Sequence, residues 1–185
     1  MGNIPNLLSL SRLPLGVLLF ICIAHEAWLI GLIVFAVAAF TDWLDGWWAR
    51  RFNCGTAIGR NLDPLTDKVL IGGAFIFLIP VPGAHVEPWI VTVIIGRELL
   101  ITGLRGIVEA TGKTFGADWF GKLKTVLQCA VLIALLALQT LRQHDILVSA
   151  HALLDGIYIG LLGLMLIATV GSAVQYGIKA VRLLK

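Results

Sequence analysis

Four aspartates, two glycines, an alanine and an arginine stand at fixed spacing in an otherwise apolar stretch. They read Asp42-x-x-Asp45-Gly46-x-x-Ala49-Arg50, then eight residues, then Gly59-x-x-x-Asp63-x-x-x-Asp67. An ionisable group near a bilayer midplane costs at least about 2.5–3.5 kcal/mol, so such groups persist where they pair, bind ions or do chemistry. Neighbouring carboxylates cannot all stay ionised in a low-dielectric site without a counter-charge. An all-oxygen set selects Mg²⁺, Mn²⁺ or Ca²⁺ over zinc or copper, and two ions about 3.5–4 Å apart are the usual arrangement for phosphoryl transfer. Gly46, Ala49 and Gly59 leave room for a phosphate or nucleotide to approach the backbone, and Arg50 can bind a phosphate oxygen bidentately.

These residues need two helices to position them. At about 100° per residue, a helix through Arg50 puts Asp42, Asp45, Gly46, Ala49 and Arg50 within one arc of roughly 140°. Asp63 and Asp67, at i and i+4, share one face of the next helix. The loop from Arg51 to Gly59 is short enough to make the two helices antiparallel neighbours, which would bring the four carboxylates together.

The rest of the chain supplies a membrane frame. Of 185 residues, 58% are hydrophobic and 14% charged, and the mean hydropathy of +0.93 lies outside the soluble globular range. Apolar stretches of spanning length, about 20 residues each, run roughly over 7–24, 27–49, 62–81, 87–109, 119–141 and 151–178. The expectation is an all-α polytopic membrane protein: one domain over 1–185, six transmembrane helices in one bundle, and a short N-terminal interfacial segment. Ser9, Ser11 and Arg12 are expected near the headgroups. No Lys or Arg precedes the first apolar run, which argues against a cleavable signal.

Basic residues fall in alternate connections, as the positive-inside rule requires. Arg50, Arg51 and Arg60, then Lys113, Lys122 and Lys124, then Lys179, Arg182 and Lys185 lie on one side; Arg142 is the one Lys or Arg in the opposite connections. Both termini and the aspartates are therefore expected in the cytoplasm, and the net charge of +3 reads as topology and anionic-lipid contact, with no nucleic-acid surface. Arg97 and Arg105, two helical turns apart within apolar sequence, are candidates for binding a phosphate, with Lys122 and Lys124. The four histidines fall in the opposite loops or at span edges, and Cys22, Cys54 and Cys129 read as packing residues. Trp43, Trp47 and Trp48 suit an aromatic belt, and Gly72, Gly73, Gly103, Gly106, Gly156 and Gly160 suit close helix packing.

The aspartate pattern resembles the signature of the CDP-alcohol phosphotransferase family, D-x-x-D-G-x-x-A-R-x8-G-x-x-x-D-x-x-x-D, with every specified position filled. The resemblance implies six transmembrane helices, a homodimer, and metal-dependent transfer of a phosphatidyl or related group from a CDP-linked donor to an alcohol, releasing CMP. By it, Asp42, Asp45, Asp63 and Asp67 would hold two ions, Mg²⁺ or Mn²⁺, with Asp67 also the general base. Asp42, Gly46, Ala49, Arg50, Thr56 and Gly59 would face the CDP donor. Further runs cover most of the chain: Asn3 to Arg12, Thr41 to Gly46, Leu62 to Leu70, Arg97-Glu98, Leu104-Arg105 and Gly121 to Thr125. They are similar to the bacterial branch of the family that joins CDP-diacylglycerol to glycerol 3-phosphate, which implies a bacterial inner membrane, with a mitochondrial counterpart as the alternative. That branch usually has Thr where this chain has Ser9; the hydroxyl is kept, and Asn6 and Ser9 would help bind the cytidine diphosphate group. Arg97, Arg105, Lys122 and Lys124 would hold the acceptor's phosphate.

Other readings stay open from the residues alone. The same core can serve serine, inositol phosphate or phosphatidylglycerol as acceptor, although a neutral or zwitterionic acceptor would not need the extra basic set. Four membrane carboxylates can also form a divalent-cation transport site, which leaves Arg50 without a purpose. An aspartyl protease needs a single shared-proton dyad.

Overall fold

The computed structural model describes the backbone of residues 4–52, 57–113 and 119–184, and within these the side chains of residues 11–41, 44, 66, 68–113 and 119–183. Among the described residues there are six α-helices and no strand: α1 (Ile4–Ala24), α2 (Trp28–Phe52), α3 (Ala57–Leu78), α4 (Pro88–Ala110), α5 (Trp119–Gln143) and α6 (His151–Leu184), the last preceded by a 3₁₀ turn at Val148–Ala150. Each expected span has its helix. The ends differ: α1 is helical from Ile4, so the expected N-terminal segment is continuous with it, and α6 runs on past residue 178. The expected loop from Arg51 to Gly59 shrinks, because α2 continues to Phe52 and α3 starts at Ala57.

Local chemistry accounts for the boundaries. Pro88 opens α4, where its fixed φ suits a first turn and its missing N–H is not needed. Gly112, at φ +77°, closes the same helix and donates its N–H to the Glu109 carbonyl at 3.0 Å. α1 ends with Glu26 in the left-handed region, Glu26 N–H on the Ile23 carbonyl and Ala27 N–H on the Cys22 carbonyl, which is a Schellman closure. α5 repeats it, with Asp145 left-handed, Asp145 N–H on Arg142 and Ile146 N–H on Leu141.

α1 packs against both α2 and α3, α5 against α2 and α6, and α4 against α6 and α3. The ends of α2 and α3 that carry the motif, expected from the sequence to be antiparallel neighbours, have their side chains outside the described residues. The main core gathers Leu19, Phe35, Phe75, Ile94, Leu132 and Met165 from all six helices, and a satellite core joins Ile101, Val108, Tyr176 and Ala180 between α4 and α6. Polar side chains lie inside, including Arg12, Arg97, Lys124, Gln128, Thr169 and Ser172, while Val17, Ile33, Leu99, Val126, Leu153 and Ile167 project outward. An apolar exterior around a polar-containing interior matches a lipid solvent.

By length and composition, the described stretches Trp119–Gln143 and Val148–Leu183 suffice to cross a membrane. Ser11–Ala24, Trp28–Thr41 and Lys68–Leu78 are shorter apolar helices. The glycine expectation holds in part. A Cβ on Gly73 would lie 2.3 Å from Phe20 Cζ, so close packing requires glycine there, and Gly72 sits at ordinary distance from Ile95. A Cβ on Gly103, Gly106, Gly156 or Gly160 would meet nothing within 4 Å among the described residues.

Candidate active site

The aspartate motif straddles the short connection between α2 and α3. Asp42, Asp45, Gly46, Ala49 and Arg50 belong to the last turns of α2, and Gly59, Asp63 and Asp67 to the first half of α3. Five peptide units separate Phe52 from Ala57, so the two helix ends lie within about 18 Å of each other at full extension. The side chains of Asn6, Ser9, Asp42, Asp45, Arg50, Asp63 and Asp67 lie outside the described residues, as do the Gly46, Ala49 and Gly59 surroundings and all of Thr56. So do Cys54 and the side chains of Trp43, Trp47 and Trp48. Among the described residues, no group of three His, Cys, Asp or Glu side chains converges to hold a metal ion. The four aspartates themselves are a hard-oxygen set of the kind Mg²⁺ and Mn²⁺ take.

Next to this motif stands a described cluster of charges. Lys68, immediately after Asp67, donates to Thr102 Oγ1 on α4. Thr102 Oγ1 in turn donates to the Glu98 carbonyl at 2.7 Å, one helical turn back. The turn of α3 carrying Asp67 is thereby tied to the turn of α4 carrying Arg97 and Glu98. Helical periodicity explains the register, since residues 98 and 102 stack at i and i+4.

Arg97 is 8% exposed and Lys124 4%, in helices whose other faces meet apolar surroundings. Arg97 Nη1 meets Glu98 Oε1 at 3.1 Å, and Lys124 Nζ on α5 donates to the same oxygen. Among the described residues, two buried cations thus share one carboxylate. Arg97 Nε donates to Ser172 Oγ at 3.0 Å, and its guanidinium carbon lies 5.5 Å from the centroid of the Tyr176 ring. Among the described residues its second terminal nitrogen, Nη2, makes no hydrogen bond. Arg105, two turns further along α4, is half-buried, and its Nε meets no partner among the described residues. Lys122 is exposed at the start of α5. A cationic group with unused N–H donors is what a phosphate dianion requires.

A cavity of about 500 Å³ opens beside this cluster between α1, α3, α4 and α5. Lys68, Glu98, Lys124 and Gln128 line it together with apolar residues such as Val69 and Leu99. Gln128 is buried, and its Nε2 has no partner among the described residues.

Of the basic four singled out from sequence, Arg97 and Lys124 meet at Glu98. The sequence left open whether Glu98 and Glu109 are ion-pair partners of the basic residues; the structure pairs Glu98 with Arg97 and Lys124, while Lys68, Ser172 and Tyr176 were passed over. Arg12, expected near the headgroups, is 1% exposed in the bundle interior. The signal available for Arg12 was an arginine within an apolar run; Ser172 and Tyr176 carry no such signal, because small and aromatic residues are ordinary in membrane helices. The histidines behave as expected: His25, His85 and His144 are exposed, and His151 Nε2 lies 2.9 Å from the Ile146 carbonyl. Cys22 and Cys129 are free thiols.

Comparison with known proteins adds an independent line. Residues 2–174 match the family model described as CDP-alcohol phosphatidyltransferase. The chain is 38% identical over 151 residues to the CDP-diacylglycerol–glycerol-3-phosphate 3-phosphatidyltransferase of Bacillus subtilis (strain 168), covering 74% of this chain and 77% of that protein. Proteins of the same name from Salmonella typhimurium (strain LT2) and Escherichia coli (strain K12) are each 38% identical over 143 residues, covering 72% of this chain and 76% of theirs. The signature filled from Asp42 to Asp67, the all-helical fold around it and a family match over nearly the whole length agree, and the chain belongs to the CDP-alcohol phosphatidyltransferase family.

Proposed function

We propose that this chain transfers the phosphatidyl group of CDP-diacylglycerol to the primary hydroxyl of glycerol 3-phosphate, giving phosphatidylglycerophosphate and CMP. The observation that carries the choice of acceptor is the buried cationic cluster at Arg97 and Lys124, tied by Lys68 and Thr102 to the turn bearing Asp67. A dianionic acceptor needs such a cluster beside the catalytic carboxylates; serine does not. The relatives named for this reaction support the same reading.

In this mechanism Asp67 takes the proton of the acceptor hydroxyl. The freed oxygen attacks the phosphorus next to diacylglycerol, the bond from that phosphorus to the bridging pyrophosphate oxygen breaks, and CMP departs. Arg97, Arg105 and Lys122 orient the acceptor's phosphate, with Lys124 matched to Glu98 and adding positive potential. Arg50, Asn6, Ser9 and Thr56 hold the cytidine diphosphate, and Gly46, Ala49 and Gly59 keep space for it. Asp42, Asp45, Asp63 and Asp67 would hold two divalent ions, Mg²⁺ or Mn²⁺, whose charge offsets that developing on the pyrophosphate. The single domain spans the inner membrane of a bacterium six times, with both termini and the aspartates cytoplasmic, so glycerol 3-phosphate arrives from the cytoplasm and the lipid donor from the leaflet. A homodimer uses the outward apolar faces, where Gly103 and Gly106 leave room on α4.

The test is CMP release by purified protein with CDP-diacylglycerol and Mg²⁺ or Mn²⁺, with glycerol 3-phosphate, inositol phosphate, serine or phosphatidylglycerol supplied in turn. Release with glycerol 3-phosphate alone is expected. Release with a different acceptor removes the acceptor assignment, and release with none of them removes the reaction.

A further inference from the structure

Arg97 is held from three directions by groups on two helices. Ser172 Oγ spends its own proton on the Thr169 carbonyl at 2.8 Å, so toward Arg97 Nε it can act only as an acceptor. Glu98 Oε1 takes Nη1. Tyr176 lies under the guanidinium at 5.5 Å and is itself 3% exposed, packed among Ile101, Val108 and Ala180. The ring has little room to move, and the reason is visible on α5. A Cβ at Gly121 would stand 2.8 Å from the Tyr176 hydroxyl and 3.4 Å from Cε2, so the glycine admits the tip of the ring where any other residue would push it. Gly121 immediately precedes Lys122 and lies one turn before Lys124.

We infer that Tyr176 is a positioning residue that seats the Arg97 guanidinium so that its Nη2 edge faces the acceptor's phosphate, and that Gly121 is the gap that lets Tyr176 reach this place. The inference rests on the reading of Arg97 as an acceptor-phosphate ligand. What the ring supplies is its face: an arginine over an aromatic face gains electrostatic attraction and a fixed plane, and a bidentate phosphate contact depends on that plane. Ser172 and Glu98 fix the guanidinium edges, while the ring sets its tilt.

The experiment measures KM for glycerol 3-phosphate, KM for CDP-diacylglycerol and kcat for Tyr176→Leu, Tyr176→Phe, Gly121→Ala and Arg97→Ala, with thermal stability of each purified variant alongside. Tyr176→Leu is expected to raise KM for glycerol 3-phosphate about tenfold, between the scales of an exposed and a desolvated cation–π contact, with KM for CDP-diacylglycerol unchanged. Tyr176→Phe keeps the ring face and should restore the KM of the parent. Gly121→Ala displaces the ring without removing it and should raise the same KM in the same direction, which covers the case in which Tyr176→Leu does not fold. Combined with Arg97→Ala, Tyr176→Leu should add nothing further. If Arg97→Ala raises the acceptor KM but neither Tyr176→Leu nor Gly121→Ala does, or if both substrates' KM values move together, the positioning role is overturned while the Arg97 reading stands. An unchanged acceptor KM in Arg97→Ala overturns both.

Discussion

Lys124 on α5 and Glu98 on α4 form an ion pair across the bundle, with side chains only 5% and 16% exposed. The same Glu98 oxygen also receives Arg97, so one carboxylate matches two cations and joins two helices. Removing one member of a buried pair leaves an uncompensated charge, which costs about 3–5 kcal/mol. Glu98→Gln should therefore lower the thermal stability of the purified protein markedly. A double variant, Glu98→Gln with Lys124→Met, should recover part of the loss, because the stranded ammonium is gone while Arg97 still lacks its carboxylate. A melting curve of the three proteins in one detergent decides it; equal stability of Glu98→Gln and the parent would show that the pair is screened.

The aspartate set predicts a specific metal response. Chelation by EDTA should abolish CMP release, Mg²⁺ or Mn²⁺ should restore it, and Zn²⁺ should not, because the donors are all oxygen. Asp63→Asn should reduce turnover by about a hundredfold or more, since even outer partners of bound metals are worth about 10–100-fold. Asp67→Asn should abolish turnover while CDP-diacylglycerol binding survives. Turnover that persists in EDTA, or lost binding with retained rate in Asp67→Asn, contradicts the assignment.

Phe20 occupies the space in front of Gly73 and stacks on Phe77 at 5.1 Å between ring centroids. Gly73→Ala would place a methyl 2.3 Å from Phe20 Cζ and 2.8 Å from Cε1, forcing the ring out of its stack. Overpacking of this kind costs about 1–3 kcal/mol. Phe20→Leu in the Gly73→Ala background should return part of that stability, a compensation that the two single variants would not show.

The connection between α3 and α4 is held by the two C-terminal helices. Gln139 Nε2 donates to the Pro82 carbonyl at 2.9 Å, Tyr158 Oη donates to the Ala84 carbonyl at 2.5 Å, and Arg142 pairs with Asp155 at 2.5 Å. Gly83 between them has φ +71°, and a Cβ there would lie 2.5 Å from Arg142 Nη1. Gly83→Ala meets both a left-handed backbone, unfavourable by about 1–2 kcal/mol for an L-residue, and the guanidinium. The expected result is a lower melting temperature with acceptor and donor KM values unchanged, because this connection lies at the opposite end of the bundle from the aspartates. A shift in either KM would mean that the two ends are coupled.

Helix content and order were legible in the chain because apolar runs of spanning length leave few alternatives, and each of the six runs became a helix. Their ends were less legible. The run from Arg51 to Gly59 reads as a loop from its polar residues, yet helix extends into it from both sides, since Ala49, Arg50 and Arg51 are good helix formers. Small residues are read differently in the fold: Gly73 and Gly103 look alike in sequence, but a phenyl ring fills the space before one, and nothing among the described residues stands before the other.

For the site, the sequence by itself determined which chemistry is available. The spacing from Asp42 to Asp67 offers an all-oxygen set suited to hard metals, and isolated arginines in apolar helices declare themselves because each is costly to bury. Only the tertiary structure decided which cations share a partner and what holds them. Glu98, Lys124, Ser172, Tyr176 and Gly121 come from three helices and meet around Arg97, with Ser172 75 residues away in the chain. No local pattern encodes such a meeting, because helix periodicity fixes the face a residue occupies, whereas the crossing of α4, α5 and α6 fixes what that face will touch.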